Sequence, residues 1–370
     1  MTLGGLLAAL MASTAVAGCA SGASRGTGPS SRIPDIAAYP PLPNDAPPGA
    51  SSAALAAAAS IGRGVNIGNM LEAPTQRAWG IRVTDEFIDE AAAAGFASVR
   101  LPVRWSNHAS VDPPYTIDPA FLAHVDSIVD KLLAKNLVVV LNMHHYRQLD
   151  GDRLDAGEAA VDARAVDVRF VMLWQQIAAR FAGKSARLLF EPYNEPHGRL
   201  NGEPWNVLVA RTLGVIRKTN PTRVVVIGPT SWNSASDLAL LKMPNDADLV
   251  ATIHDYDPFA FTHQGAGWVN PIPPTGVTCC SAAQVAEMTQ PLDAAKRWSD
   301  AHHYPVYVGE FGAYSKADEA SRVTFDRTMR AAMESRGMTW TYWEFAAGFG
   351  VYDPAAHAFR QNLLDSLLGP

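Results

Sequence analysis

Eight short runs of β-branched and other apolar residues recur from Arg63 onward, and stretches of helical periodicity lie between them. The runs are Gly64–Ile67, Ser98–Val103, Leu137–Asn142, Arg187–Phe190, Val224–Gly228, Leu249–Ile253, Val306–Gly309 and Met338–Trp343. Strands that are continuously apolar are buried on both faces, which is the condition of a parallel sheet. The clearest intervening pattern is Phe121, Leu122, Val125, Ile128, Val129, Leu132 and Leu133, a wide apolar stripe at helical spacing. Others lie at Glu86–Ala94, Val168–Phe181, Trp205–Lys218, Ala283–Ala301 and Ser321–Ser335. Strands alternating with helices in this way predict an α/β fold, a (β/α)8 TIM barrel forming one domain over residues 52–370. The competing doubly wound sheet needs a glycine-rich phosphate turn after its first strand. Here that strand runs into Gly64-Val65-Asn66-Ile67-Gly68-Asn69, which lacks the fingerprint and is not followed at once by a helix.

Composition narrows the class of function. Of the 370 residues, 48% are hydrophobic and the net charge is −6, with no block of Lys or Arg. A basic surface that could neutralise phosphates is therefore missing, and nucleic acid is not an expected partner. Three cysteines cannot build a disulfide-dense scaffold or a four-thiolate zinc site. No apolar run reaches the roughly 20 residues that span a bilayer.

The start of the chain reads as an address. Leu3 to Gly18 are apolar or small and lead into Val16-Ala17-Gly18-Cys19, although no Lys or Arg precedes them. This segment resembles a bacterial lipoprotein signal, and the resemblance implies removal of residues 1–18 and lipidation of Cys19. Ala20 stands where an inner-membrane retention Asp would be, so outer-membrane anchoring is expected, with a secreted protein as the alternative. Contact with a membrane is expected only through that lipid. Residues 19–51 are rich in Ser, Gly and Pro and read as a flexible linker, because they cannot bury enough apolar surface to offset their ordering entropy. The Ala-rich run from Ala53 to Ala59 reads as a short helix.

In a barrel the chemistry gathers where strands end, at the C-terminal rim. Strand 2 carries Arg100; strand 3 ends in His144-His145-Tyr146; strand 4 ends in Tyr193-Asn194-Glu195-Pro196-His197. Strand 6 ends in His254-Asp255-Tyr256, strand 7 in Glu310 and strand 8 in Trp343-Glu344. Glu195 and Glu310 come from strands on opposite sides of the barrel, so both can face one bound group. Cleavage of a glycosidic bond needs such a pair, one acid to protonate the leaving oxygen and one carboxylate at the anomeric carbon.

Leu188-Leu189-Phe190-Glu191-Pro192-Tyr193-Asn194-Glu195-Pro196 resembles the signature of glycoside hydrolase family 5, the cellulase family, apart from Pro192, where a small or aliphatic residue is usual. The resemblance continues through Arg100, His144, the His254-x-Tyr256 pair, Glu310 in Val308-Gly309-Glu310-Phe311-Gly312, and Trp343. It implies that Glu195 is acid and then base, with a pKa raised by the charge of Glu310. It also implies that Glu310 is the nucleophile, kept ionised by Arg100 and the Tyr256 hydroxyl. Asn194 is implied to hold the sugar 2-hydroxyl, His254 to bond near Glu195, and His144 and His145 to meet sugar hydroxyls. Trp343 offers a face to the pyranose ring. Trp232 and Trp268, in loops after strands 5 and 6, are placed for outer subsites. Retention of configuration is expected, with carboxyl groups roughly 5–5.5 Å apart.

The expected activity is hydrolysis of a β-linked glucan, as an endo-β-1,4-glucanase. Exo-glucanase, β-glucosidase or β-mannanase action on the same site is the alternative, and a non-catalytic carbohydrate-binding lipoprotein the alternative of another class. The Phe/Trp/Pro-rich insertion Pro258–Ser281 is placed to wall the cleft. No cofactor or metal is expected, since the spacing of His144, His145 and His254 matches no zinc motif. The protein is expected to be a monomer. Glu344 is expected to point away from the site, and Cys279-Cys280 either to form a vicinal bridge or to stay reduced.

Overall fold

The computed structural model describes residues 32–75 and 77–369. The leader through residue 18, Cys19 and the first part of the linker lie outside the described residues. Eight parallel strands close into a barrel in sequence order. They are β1 (Arg63–Asn66), β2 (Ser98–Leu101), β3 (Val138–Asn142), β4 (Leu188–Glu191), β5 (Val225–Ile227), β6 (Leu249–His254), β7 (Val306–Glu310) and β8 (Trp340–Tyr342). Closure is made by β8 on β1, where Gly64 faces Thr341 in register.

The helices outside the barrel follow their sequence signals. Helix α1 (Ser52–Ile61) precedes β1, and α2 (Asp85–Ala94) follows it. Thr84 caps α2 by accepting from the Phe87 amide at 3.2 Å. Helix α3 (Pro119–Ala134) starts with the fixed φ of a proline behind the Asp118 cap. Then come α4 (Val166–Arg180), α5 (Glu203–Thr219), α6 (Ala282–His302), α7 (Glu319–Ser335) and α8 (Gln361–Leu368). A capping box between Ser281 and Gln284 opens α6. Between β5 and β6 a 3-10 turn, Ala235–Leu240, replaces the helix.

Side chains on a strand alternate between faces, so each strand feeds two cores. Val139, Leu141, Leu188 and Phe190 pack outward against the helices. Val138, Val140, Leu189, Val226, Val250 and Tyr307 line the interior, where Ala54, Ala58 and Ile61 of α1 join them. Helix α1 thus plugs the N-terminal mouth with two alanines and an isoleucine on its inner face. Polar interior positions remain at the opposite, C-terminal end.

The linker expectation fails for its second half. Ile33, Ile36, Tyr39 and Leu42 pack against the outer core. The Leu42 amide donates to the Ala210 carbonyl at 3.2 Å, and Arg211 of α5 donates to the carbonyls of Ile36 (3.2 Å) and Tyr39 (2.6 Å). Farther on, the Ala46 amide reaches Asn245 Oδ1 at 3.0 Å and the Ala50 amide the His303 carbonyl at 2.8 Å. Prolines lower the entropy that this strap loses on docking, and four spaced apolar side chains suffice to anchor it.

Candidate active site

Arg100 sits on the inward face of β2 and is fully buried. Its Nε and Nη2 donate to both oxygens of Glu191 at 2.7 Å, a bidentate pair inside the barrel. Nη2 also donates to Asn194 Oδ1 at 2.6 Å, and Nη1 to Glu310 Oε1 at 2.6 Å and Asn66 Oδ1 at 3.0 Å. One guanidinium from β2 therefore orients groups from β1, β4 and β7. Glu191 and Asn66 were not singled out from the sequence. The available signal was alternation: Glu191 follows Leu189 by two residues and so must share its inward face.

Glu195 and Glu310 converge on His254. His254 Nδ1 shares a 2.7 Å hydrogen bond with Glu195 Oε1 and stands 3.6 Å from Glu310 Oε2. One oxygen of each carboxylate and a ring nitrogen of His254 all lie within 4.8 Å of one another. The Tyr256 hydroxyl donates to Glu310 Oε2 at 2.8 Å. Gly309 is required beside this group, since a Cβ there would stand 2.9 Å from His254 Nε2.

The two carboxyls differ in exposure and partners. Glu195 keeps 25% of its side chain open, whereas Glu310 keeps 5%. Burial raises Glu195 to about 7, with the charges of Arg100 and His197 opposing it. The rise expected from the charge of Glu310 thus comes mainly from burial, and the carboxylate that adds to it is Glu191. Burial also raises Glu310, against the pull of His254, Arg100 and the Tyr256 hydrogen bond, so these donors restrain its rise without holding it below the ordinary range. Burial lowers His254 to about 4, leaving its imidazole neutral. His144 and His145 are likewise pushed down by burial.

The other residues fall where strand order placed them. His144 stacks on Trp343 with ring centres 5.3 Å apart. A Cβ on Gly68 would meet the Trp343 ring at 2.7 Å, so that indole fixes a glycine after β1. Pro192 leaves the last turn of β4 intact, and its carbonyl accepts from Trp174 Nε1 at 2.8 Å. Trp232 (56% exposed) and Trp268 (61% exposed) stand on the rim loops, Trp232 stacked on His197 at 4.6 Å and Trp268 edge-on to Tyr314 at 4.8 Å. Trp205 is core. Trp79, which no motif marks in the sequence, is an exposed aromatic edge-on to His145.

The insertion after β6 is folded rather than loose: Gln264 Oε1 accepts from the Gly276 and Val277 amides at 2.8 and 3.1 Å. Cys279 and Cys280 are bridged at its base. Glu344 is buried and accepts backbone amides of Ala346, Ala347 and Phe349. A cavity lined by Leu55, Lys296, Tyr304 and Arg336 opens at the opposite end of the strands, away from these groups.

A closed parallel barrel whose β4 and β7 ends bring two glutamates together beside a buried arginine, a histidine and a tyrosine defines a barrel glycoside hydrolase. The family model described as Cellulase (glycosyl hydrolase family 5) matches residues 60–348, and the chain belongs to that family. Endoglucanase H of Acetivibrio thermocellus is 38% identical over 318 residues, 84% of this chain and 33% of its own length. This chain thus spans a third of that relative. A solved hyperthermophilic endo-beta-1,4-glucanase in complex with substrate is 39% identical, with a TM-score of 0.81, covering 86% of this chain and 99% of that one. Cel5A of Thermotoga maritima, solved in complex with mannotriose, is 39% identical with a TM-score of 0.80, covering 85% and 99%.

Proposed function

We propose that this chain is a retaining endo-β-1,4-glucanase that works by double displacement. The observation that carries the mechanism is the spacing of Glu195 and Glu310, whose nearest oxygens lie within 4.8 Å. Carboxyls that converge this closely, both on His254, suit direct attack by one of them, the arrangement in which the two groups stand roughly 5–5.5 Å apart. Glu310 attacks the anomeric carbon while Glu195 gives its proton to the departing oxygen; the C1–O bond to the leaving sugar breaks and an ester to Glu310 forms. Glu195, now a carboxylate, takes a proton from water, whose oxygen attacks C1 and releases Glu310. A pKa near 7 suits Glu195 to both roles. Glu310 receives Arg100 and Tyr256, donors that stabilise it as a leaving carboxylate.

Asn194 gives its carbonyl oxygen to Arg100, which leaves its amide N–H groups for the sugar 2-hydroxyl. Neutral His144 and His145 offer ring nitrogens to hydroxyls, and Trp343 offers an apolar face to the ring. Trp232 and Trp268 serve outer subsites. The test is Glu310→Ala on carboxymethylcellulose: turnover is lost, and added azide restores cleavage of an activated aryl cellobioside with inverted product. Undiminished activity in Glu310→Ala overturns the assignment.

The mannotriose complex of a relative supports β-1,4-mannan as a second substrate. Comparing initial rates and product lengths on carboxymethylcellulose, mannan and aryl β-glucosides separates these readings from an exo mode. We also read the leader as an export signal with a lipid on Cys19; failure of palmitate to label Cys19 in a bacterial host overturns the tether.

A further inference from the structure

A second cluster of potential ligands lies beside the catalytic pair, made of side chains to which the reaction above gives no part. Asp150 closes the short helix Arg147–Asp150 after β3, Asp152 follows two residues on, and His197 follows Glu195 after β4. One ligand atom from each of Asp150, Asp152 and His197 lies within 4.8 Å of the others.

Three details point to an ion. Asp150 is 4% exposed; its Oδ2 accepts the Tyr193 hydroxyl, while its Oδ1 is buried without a hydrogen-bond partner, 3.6 Å from His197 Nδ1. His197 Nδ1 is tied to the Glu195 carbonyl at 2.6 Å, which leaves Nε2 facing Asp152 Oδ2 at 3.2 Å. A histidine held through one nitrogen by a backbone carbonyl presents the other as a ligand, the usual arrangement around a metal. The 3.2 Å separation is close to the edge of a tetrahedral site with bonds of about 2.1 Å, roughly 3.4 Å. Arg147 pairs with Asp152 and Asp155, and Arg104 with Asp155 and Glu158, whereas the ion-pair neighbour of Asp150 is His197 itself.

We propose that Asp150, Asp152 and His197 hold a divalent cation of the zinc–manganese type, which clamps the loop after β3 to the segment bearing Glu195. One imidazole with two carboxylates suits these ions better than calcium, which prefers oxygen alone. The ion sits on the positioning side of the acid/base, through the His197–Glu195 carbonyl bond, and under the Trp232 ring that stacks on His197.

The test is calorimetric titration of EDTA-stripped, dialysed full-length enzyme with ZnCl2, and in parallel MnCl2 and CaCl2, at neutral pH. Zinc or manganese is expected to bind one per chain with micromolar or tighter Kd and to raise the thermal midpoint by several degrees. Asp152→Asn, on the outer loop, and His197→Gln weaken the affinity by at least about tenfold, and Glu195→Gln leaves it unchanged. The proposal is overturned if the stripped enzyme shows no saturable binding. It is also overturned if binding is stronger for calcium, or survives Asp152→Asn while Glu195→Gln abolishes it, which puts the ion between the catalytic carboxylates.

Discussion

Arg100 shows how much one side chain decides at this site. It is buried and bonded to Glu191, Asn194, Asn66 and Glu310, so its charge is compensated only while those acceptors remain. Replacing Glu191 with Ala strands part of that charge, and loss of one partner of a buried pair costs about 3–5 kcal/mol. Urea denaturation of Glu191→Ala is expected to show a loss of that size, with kcat falling as Arg100 turns toward Glu310. Glu195→Gln keeps the shape but removes the proton donor. Cleavage of carboxymethylcellulose is expected to drop by roughly 10²–10⁴, the usual worth of general acid–base catalysis, while formation of the ester from a dinitrophenyl cellobioside is spared. A pre-steady-state burst of dinitrophenol checks this, and equal loss on both substrates speaks against the acid role. At this scale the motif residues were legible because each closes an apolar strand. Glu191 stands within the motif with nothing local to mark its role, because its partner lies on another strand and sequence distance conceals the pairing.

Helices and loops carry a different kind of information. The apolar stripe of α3 and the caps of α2 and α6 are local signals, and the observed elements follow them closely. The strap docks although its composition predicts a linker, because composition measures what a segment can bury by itself, whereas Ile36, Tyr39 and Leu42 borrow an existing surface. Asp326, on α7, is buried against Ser366 of α8, and burial raises its carboxyl to about 7, opposed by Arg322 and Ser366. The unfolded chain releases this proton near the ordinary value of 3.8, the folded one near 7. Its contribution is therefore complete below the lower value and is lost as pH rises through the folded one. Denaturant midpoints of Asp326→Asn measured across that window are expected to be flatter with pH than those of the parent. An unchanged slope removes the assignment.

For the whole molecule, the barrel separates stability from chemistry by placing them at opposite ends. Helix α1 plugs one mouth with Ala54, Ala58 and Ile61, and the ionisable groups occupy the other. Ala58→Phe overpacks the plug, for which a cost of about 1–3 kcal/mol is expected, with kcat per folded molecule unchanged. Thermal denaturation and active-site titration measure the two effects separately. The strand and helix alternation, the rim residues and the signature around Glu195 were all readable from the chain, because burial on both faces writes continuous apolar runs and the rim follows each run directly. Tertiary structure alone decided which distant groups meet: Arg100 with Glu191, Asp150 with His197, and α1 with the barrel floor. These contacts join positions far apart along the backbone, and their geometry comes from closure of the sheet, which no local pattern records.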